Sequence, residues 1–542
     1  MRINYNLSAY TANAQLLKNE KNQASATERL ASGFKINHAK DDPAGMAMSN
    51  KMKLQIDGLK QASQNSSDGI SVIQTAEGCL NEVESILQRM RELSVQAANG
   101  TNDVGDREVI QEEIDSLSAE IDRISKNTEF NKKKLLDGSL DRRAYTDNAN
   151  VRVTMATDGV QADKYGITVT EDARQAVAIG QAGDTADMDT GDVIAKSQEG
   201  NILINGEKIT IREGDTASEV YEKIRDGAER AGVYCVAVDD TTLTTDGSNE
   251  EYAGYKPSTK EYDYSQQLVF ISKEYGATEK INIRVSSDDL AKALGLVGGA
   301  PEDSDNATDI TVGGLDAKVL LSVKDKDPAH AGQAIKEGYR DSAAVKTSGN
   351  RITVTDNNGF MMEMTIDKKV CSGATVKDVL ISDIDDIDAE KSIYAEVTAG
   401  TAQEIEAEVT DIGMMTVHVG ANENQILDVD IPEVSVKTLR LENLSVMSEY
   451  TAGKAISKLD DAIERVSTVR ARLGAFQNRL EHTVTSLNTS EEDLTSALSR
   501  ITDVDMASEM TNFTQHSILT QAATSVLSQA NDLPQQALQL IQ

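Results

Sequence analysis

Aromatic side chains are scarce in this chain: of 542 residues none is Trp, 6 are Phe, and 4% are aromatic in all. Large enzyme cores and ligand pockets lean on aromatic packing. The scarcity therefore favours cores of Leu, Ile, Val, Met and Ala, as in helical rods. Proline is also rare. After Pro43 the next is Pro257, which leaves a long stretch free of the residue that breaks helices. Three cysteines, Cys79, Cys235 and Cys371, stand far apart with no CxxC pair. Neither a zinc knuckle nor a dithiol redox site is indicated, and the odd count leaves at least one thiol unpaired within the chain. Small buried apolar residues are the plain reading of all three. No apolar run approaches the roughly 20 residues that cross a bilayer. Met1 to Leu7 lack the continuous apolar stretch of a signal peptide. Composition by itself reads as cytoplasmic.

Positive charge is in deficit. The formal net charge is −35, and residues 141–436 hold 56 of the 89 acidic side chains but 28 of the 54 basic ones. Such acidity argues against nucleic acid and anionic membrane as partners. It also implies a richly solvated middle, between ends balanced enough to pack on one another.

What is present is helical periodicity at both ends. Ile73, Ala76, Leu80, Val83, Leu87, Met90, Ser94 and Ala97 alternate spacings of 3 and 4, a heptad seam along one helix. Asn99-Gly100 supplies turn chemistry after it. Ile110, Ile114, Leu117, Ile121 and Ile124 then predict a second helix, antiparallel to the first because the link is short. Towards the C-terminus, Ile456, Leu459, Ile463, Val466, Arg470, Leu473, Gln477, Leu480, Val484 and Leu487 keep one heptad register. Its two polar members would weaken the seam or set its register. The last stripe is the most regular: Leu519, Ala523, Val526, Ala530, Leu533, Ala537 and Leu540. Ile3, Leu7, Tyr10, Ala14 and Leu17 repeat the pattern at the other end. Within one chain these two stripes are expected to have only each other as partners.

Between about 141 and 436 the heptads stop. Short alternating runs appear, such as residues 150–154 (NVRVT), 280–285 (KINIRV), 351–355 (RITVT) and 361–366 (MMEMTI), separated by Gly, Asp, Asn and Thr. These read as strands, with a helix around Ala217 to Arg230. The fold class is thus α+β: a long antiparallel helical bundle or coiled coil built from both chain ends, with β-rich inserted outer domains.

Catalytic and metal motifs are missing. None of His38, His330, His418, His482 and His516 belongs to an HExxH, so a zinc-protease insertion is unsupported. Gly453-Lys454 is followed by Ala455 and is no P-loop. Asp383, Asp385, Asp386 and Asp388 crowd together without the Gly and spaced Glu of a calcium loop. They read as a solvated acidic loop. No catalytic residue, metal ligand or cofactor is assigned.

Four motifs carry a resemblance. Residues 27–50 (TERLASGFKINHAKDDPAGMAMSN), 127–138 (NTEFNKKKLLDG), 470–480 (RARLGAFQNRL) and 521–541 (QAATSVLSQANDLPQQALQLI) resemble, in order, the signatures of bacterial flagellins. Locally the physics fits: Gly33 can end one helix, Asp41 or Asp42 can cap the next, and Pro43 suits a first turn. Residues 417–432 (VHVGANENQILDVDIP) resemble a strand pair that closely follows LLDG in compact flagellins. Here the pair lies far downstream, which marks the variable insertion. Residues 201–220 (NILINGEKITIREGDTASEV) resemble the flagellin "IN" repeat.

The resemblance implies three layers: 1–43 and 501–542 as a terminal coiled-coil filament core; 44–140 and 415–500 as a helical shell with a β-hairpin; 141–414 as a variable β-rich outer insertion, with the repeat at about 201–230. It implies a homopolymer, the extracellular flagellar filament for motility, whose subunits leave the cell unfolded through the flagellar type III system. That route needs no cleaved signal peptide and overrides the cytoplasmic reading. The implied assembly seam is Ile3, Leu7, Tyr10, Leu17, Leu519, Val526, Leu533 and Leu540. Further implied partners are an export chaperone at the C-terminal segment, the filament cap and junction proteins, and the Toll-like receptor that senses flagellin. Receptor contacts carried over from the family's QRxREL helix are Gln88, Arg89 and Leu93, with Glu113 on the adjacent helix. An alternative is the hook–filament junction protein, which shares flagellin-like ends.

Overall fold

The computed structural model describes residues 6–541, apart from 158, 183–192, 240–252, 297–308, 322, 325–334, 337–338, 340–341, 372–374, 378, 381–392, 395 and 399–400. The helices are α1 (Leu7–Ser32), α2 (Pro43–Ala97), α3 (Val104–Asn127), α4 (Ala217–Arg230), α5 (Asp288–Ala293), α6 (Glu449–Thr502) and α7 (Met506–Ile541). The chain divides into two compact units. One comprises Met1–Val72, Thr416–Asp428 and Ala475–Gln542; the other comprises Ile73–Met415 and Val429–Gly474.

In the first unit α1 starts on Asn6, whose side chain accepts the Ala9 amide, and ends on Gly33 at φ +75°. Only glycine takes that left-handed conformation without strain. Asp42 then accepts the amides of Ala44 and Gly45 at 3.1 and 3.0 Å, capping α2 just before Pro43. Between the long helices Lys60 pairs with Glu491 at 3.6 Å, and Ser63 donates to Asn488 at 3.0 Å. The strands Met415–His418 and Ile426–Val429 form the expected hairpin. Its Ala421 and Val417 lie where side chains on Gly58 and Gly69 of α2 would stand.

The pairing of α1 with α7 corrects the sequence expectation. Among the described residues, those buried in the pair are Asn19 and Ala26 on α1 and Glu509 and Ala530 on α7. Asn6 donates to Ala530 O at 2.8 Å, and Arg29 reaches Glu509 at 3.7 Å. The terminal stripes are covered only in part: Ala530 of the α7 stripe is buried and Ala523 half-buried, while Leu7, Tyr10 and Leu17 are exposed, as are Leu519, Val526 and Leu533. Leu16 and Leu30 on α1 and Phe513 and Leu527 on α7 are half-buried, so bulky apolar residues stand on the covered side of the pair as well as on the bare one.

The second unit holds α3, the remaining portions of α2 and α6, and the β-rich insertion. The α2 seam is as expected: Ile73, Ala76, Leu80, Val83, Leu87, Met90, Ser94 and Ala97 are all fully buried. A capping box of Asp103 and Asp106 opens α3. Its Ile110, Ile114, Ile121 and Ile124 are buried, while Leu117 is half-buried. On α6 the seam is rotated from the expected register. Ala452, Ala455, Leu459, Ala462, Val466, Val469, Leu473, Phe476 and Leu480 form the buried stripe. Ile456, Ile463, Arg470 and Gln477 are half-buried on its flank. Arg470 explains the rotation: it turns to α2, where it pairs with Glu84 and with Glu77 at 3.7 Å. Arg91 and Asp460 pair across the same two helices.

Among the described residues the insertion has two large apolar cores and a smaller cluster around Val177, Val236, Tyr255 and Val269. In the first, a five-stranded sheet runs Ile393–Tyr394, Asp309–Gly313, Lys280–Val285, Gly200–Ile204, Glu207–Ile211. Helix α4, opened by a Thr216–Glu219 capping box, packs Val220 and Ile224 onto Ile202, Ile209, Ile281 and Ile283. Gly227 permits this, because a side chain there would meet Ile209 at 2.4 Å. The residue range of α4 is the one expected from sequence; the short α5 was not foreseen. In the second core two four-stranded sheets meet. Ile167, Val169, Ile405 and Ala407 come from one, and Ile352, Val354, Met362 and Met364 from the other. The strands Val151–Ala156, Lys280–Val285, Arg351–Thr355 and Met361–Ile366 fall on the alternating runs read from sequence. Cys235 and Cys371 are buried and Cys79 is half-buried, all as free thiols.

Candidate assembly and recognition surfaces

Two surfaces carry sequence-derived candidate residues. The first is the outward stripe of the terminal helices. Leu7 and Tyr10 are each 74% exposed, Leu17 58%, Leu519 40%, and Val526 and Leu533 53% each. Ile3 and the Leu540 side chain lie outside the described residues. Sequence reasoning did not single out Ile518, Met506 and Met510, which are exposed on α7 as well. Met510, Thr514, Ile518 and Leu519 border one open groove along that helix. Apolar side chains laid bare in a row, rather than scattered singly, mark an interaction surface.

The second surface lies on α2 and α3. Arg89 donates to Glu113 Oε1 from Nε at 3.1 Å and from Nη2 at 2.9 Å, and to Glu92 at 3.4 Å. Hydrogen bonding to Glu113, then its charge, holds the Arg89 guanidinium above its ordinary pKa. Gln88 is exposed and donates to Glu84 at 3.4 Å. Leu93 differs from expectation: it is 2% exposed and belongs to the helical core. Two helices flank α2 in this unit, α3 through Arg89 and α6 through Arg91, so its buried face is wider than a two-position seam. Val109, which sequence reasoning passed over, is 66% exposed. It sits four residues from Glu113, hence on the same face of α3.

Among the described residues no cluster of three or more His, Cys, Asp or Glu could hold a metal, and no helix is long and apolar enough to cross a membrane. The Asp383 to Asp388 run lies outside the described residues. A closed hydrogen-bonded pair, Asp141 and Asp430, is the most perturbed carboxyl site. Burial, and then the Asp430 charge, push Asp141 up to about 8. Asp430 accepts from Arg472 at 2.5 Å and from the Arg142 amide at 3.1 Å, which makes the pair a structural fastening.

This chain has long helices at both ends that leave bulky apolar side chains bare, with a β-rich excursion between them. The family comparisons place it. "Bacterial flagellin N-terminal helical region" matches residues 3–141, and "Bacterial flagellin C-terminal helical region" matches residues 456–541. A flagellin of Clostridium tyrobutyricum is 33% identical over 99% of this chain and 100% of its own. A flagellin of Salmonella typhimurium is 31% identical, with 99% of each chain covered. The chain belongs to the flagellin family. It is therefore a structural subunit of the extracellular flagellar filament, and the junction-protein alternative is not favoured. A junction protein of Legionella pneumophila aligns with 84% of this chain and 100% of its own at 13% identity. Its TM-score of 0.25 is too low to carry an argument.

Proposed function

We propose that the outward stripe of α1 and α7 is the surface through which subunits associate at the filament core. The observation that carries this is the exposure of Leu7, Tyr10, Leu17, Leu519, Val526 and Leu533 on a helix pair that leaves all six uncovered. Each such Leu or Val gains about 1.5–3 kcal/mol when fully buried. A lone helix pair with so little buried surface is marginal in water. On this reading the arms gain their order on assembly, and folding drives polymerisation. Identical head-to-tail contacts that do not close build a helix. In the layering that follows, 1–43 with 501–542 form the inner core, 44–140 with 415–500 the shell, and 141–414 the exterior. Electron microscopy of the chain carrying Leu519→Asp and Val526→Asp tests the reading. Normal filaments from that variant would overturn it.

The same exposed α7 apolar row suits capture before assembly by an export chaperone, and its free end in a filament suits the cap and junction proteins. Delivery through a narrow type III channel fits a chain poor in bulky rings. The α2–α3 surface is read as the contact for the flagellin-sensing Toll-like receptor. Arg89 and Glu113 present a fixed cation–anion pair with Gln88 beside them. Val109 supplies the exposed apolar contact that Leu93, being buried, does not.

A further inference from the structure

One edge of α6 carries a row of cations, each seated on a carboxylate outside the helical rod. Lys454 meets Glu279 at 2.7 Å. Lys458 meets Glu274. Arg465 meets Glu363 at 2.8 Å. Arg472 meets Asp430 at 2.5 Å. Lys458, Arg465 and Arg472 are spaced by seven residues and Lys454 lies one turn before Lys458, so all four fall on one helix face. That face lies beside the buried seam, on the flank opposite Arg470 and Asp460, which serve α2.

Three of the carboxylates come from the insertion and the fourth, Asp430, from its root. Glu274 ends the strand Gln267–Tyr275 and Glu279 precedes Lys280–Val285, both beside the first core. Glu363 belongs to Met361–Ile366, in the second core. It is 4% exposed and is also held by Arg351 and Arg440, so three guanidiniums share one carboxylate. Asp430 sits where the chain returns from the insertion. It accepts the amide of Arg142, where the chain departs. Along α6 the order is first core, second core, root.

We infer that this edge of α6 is an electrostatic docking rail that sets where both β-rich lobes sit on the helical rod. The partner it fits is a surface bearing carboxylates at heptad spacing, here supplied by the chain's own acidic insertion. Buried carboxylates such as Glu363 and Asp430 are stable only while paired, so the rail specifies position as well as holding it. The insertion is then a fixed exterior array in the filament rather than a loosely tethered decoration.

The test uses charge reversal in the full chain. Lys454→Glu with Lys458→Glu sets like charges on Glu279 and Glu274. Amide hydrogen exchange over residues 272–281 should quicken at least tenfold, with the helical circular dichroism unchanged. Adding Glu274→Lys and Glu279→Lys should return exchange to the parent rate. Unchanged exchange in the reversed chain overturns the rail, as does a swapped chain no slower than the reversed one. Should the reversed chain lose its helical signal, Lys458→Gln removes one rung without repulsion and is read the same way: faster exchange supports the rail, the parent rate refutes it.

Discussion

Phe34 and Asp503 pair main chain to main chain, joining the loop after α1 to the link between α6 and α7. The Lys35 amide donates to Thr502 O at 2.6 Å and the Val504 amide to Gly33 O at 3.0 Å. This small ladder fixes the register of both chain ends, and it depends on Gly33 holding φ +75°. A side chain there meets nothing within 4 Å, so Gly33→Val acts through backbone strain alone. We expect a loss of about 1–3 kcal/mol, concentrated in the α1–α7 arm. Hydrogen exchange should show faster opening of residues 7–32 while α2 seam amides near Leu80 keep their protection. Equal loss of protection throughout would contradict a local role.

Removing residues 519–542 takes away half of the outward apolar row but no part of the α2–α3–α6 seam. The truncated chain should remain a folded, soluble monomer by sedimentation and should form no filaments by electron microscopy. Long filaments from it would show that the tail is not needed for association.

The two errors of sequence reading share one physical origin. On α6 the heptads admit two overlapping stripes, one through Ile456, Ile463, Arg470 and Gln477 and one through Ala455, Ala462, Val469 and Phe476. Which is buried depends on where Arg470 finds its carboxylate, and that is a tertiary fact. On α7 the whole stripe was taken to face α1, but of its members Ala530 is buried while Leu519, Val526 and Leu533 are exposed. Periodicity tells that a face is apolar, not which neighbour covers it. Leu93 failed for a related reason: a helix with two neighbours has a wide core face. The helix α4 and the strands Lys280–Val285 and Arg351–Thr355 were legible because local capping and strict alternation decide them without distant partners.

Replacing residues 145–410 by a short Gly/Ser linker removes Glu274, Glu279 and Glu363 but keeps Asp430 and every seam residue of α2, α3 and α6. Polymerisation should survive, and filaments should be thinner by cryo-electron microscopy. Complete loss of assembly with the helical signal intact would mean that the insertion makes essential subunit contacts.

Asp141 gives a pH dependence of definite sign. Its folded pKa is raised to about 8 by burial and then by Asp430, against 3.8 as the ordinary value. Between these limits the folded state holds the proton and the unfolded state does not. The contribution is therefore full below about pH 4 and is lost as pH rises, by up to about 1.4 kcal/mol per unit, until about pH 8. Asp141→Asn mimics the protonated carboxyl and removes this slope. Thermal melts of parent and variant should diverge with rising pH from 5 to 9, with the variant gaining. Parallel curves would refute the shared proton.

The receptor reading separates Arg89 from Leu93, which sequence grouped together, and adds Val109. Arg89 stands on the surface with its guanidinium fixed by Glu113, a geometry that suits a hot spot because little ordering is left to be lost on binding. Arg89→Ala should weaken binding to the receptor ectodomain by on the order of tenfold or more, with an unchanged melting temperature. Leu93 is core, and Leu93→Ala should cost about 2–5 kcal/mol of stability. Any loss of binding from it should follow the helix it supports. Val109→Asp places a charge on an exposed apolar position and should weaken binding while leaving the fold intact. The measurement is ectodomain affinity for purified monomer beside thermal melts of each variant. If Arg89→Ala and Val109→Asp bind as the parent does, while Leu93→Ala alone loses affinity, the α2–α3 surface is structural and recognition lies elsewhere on the chain.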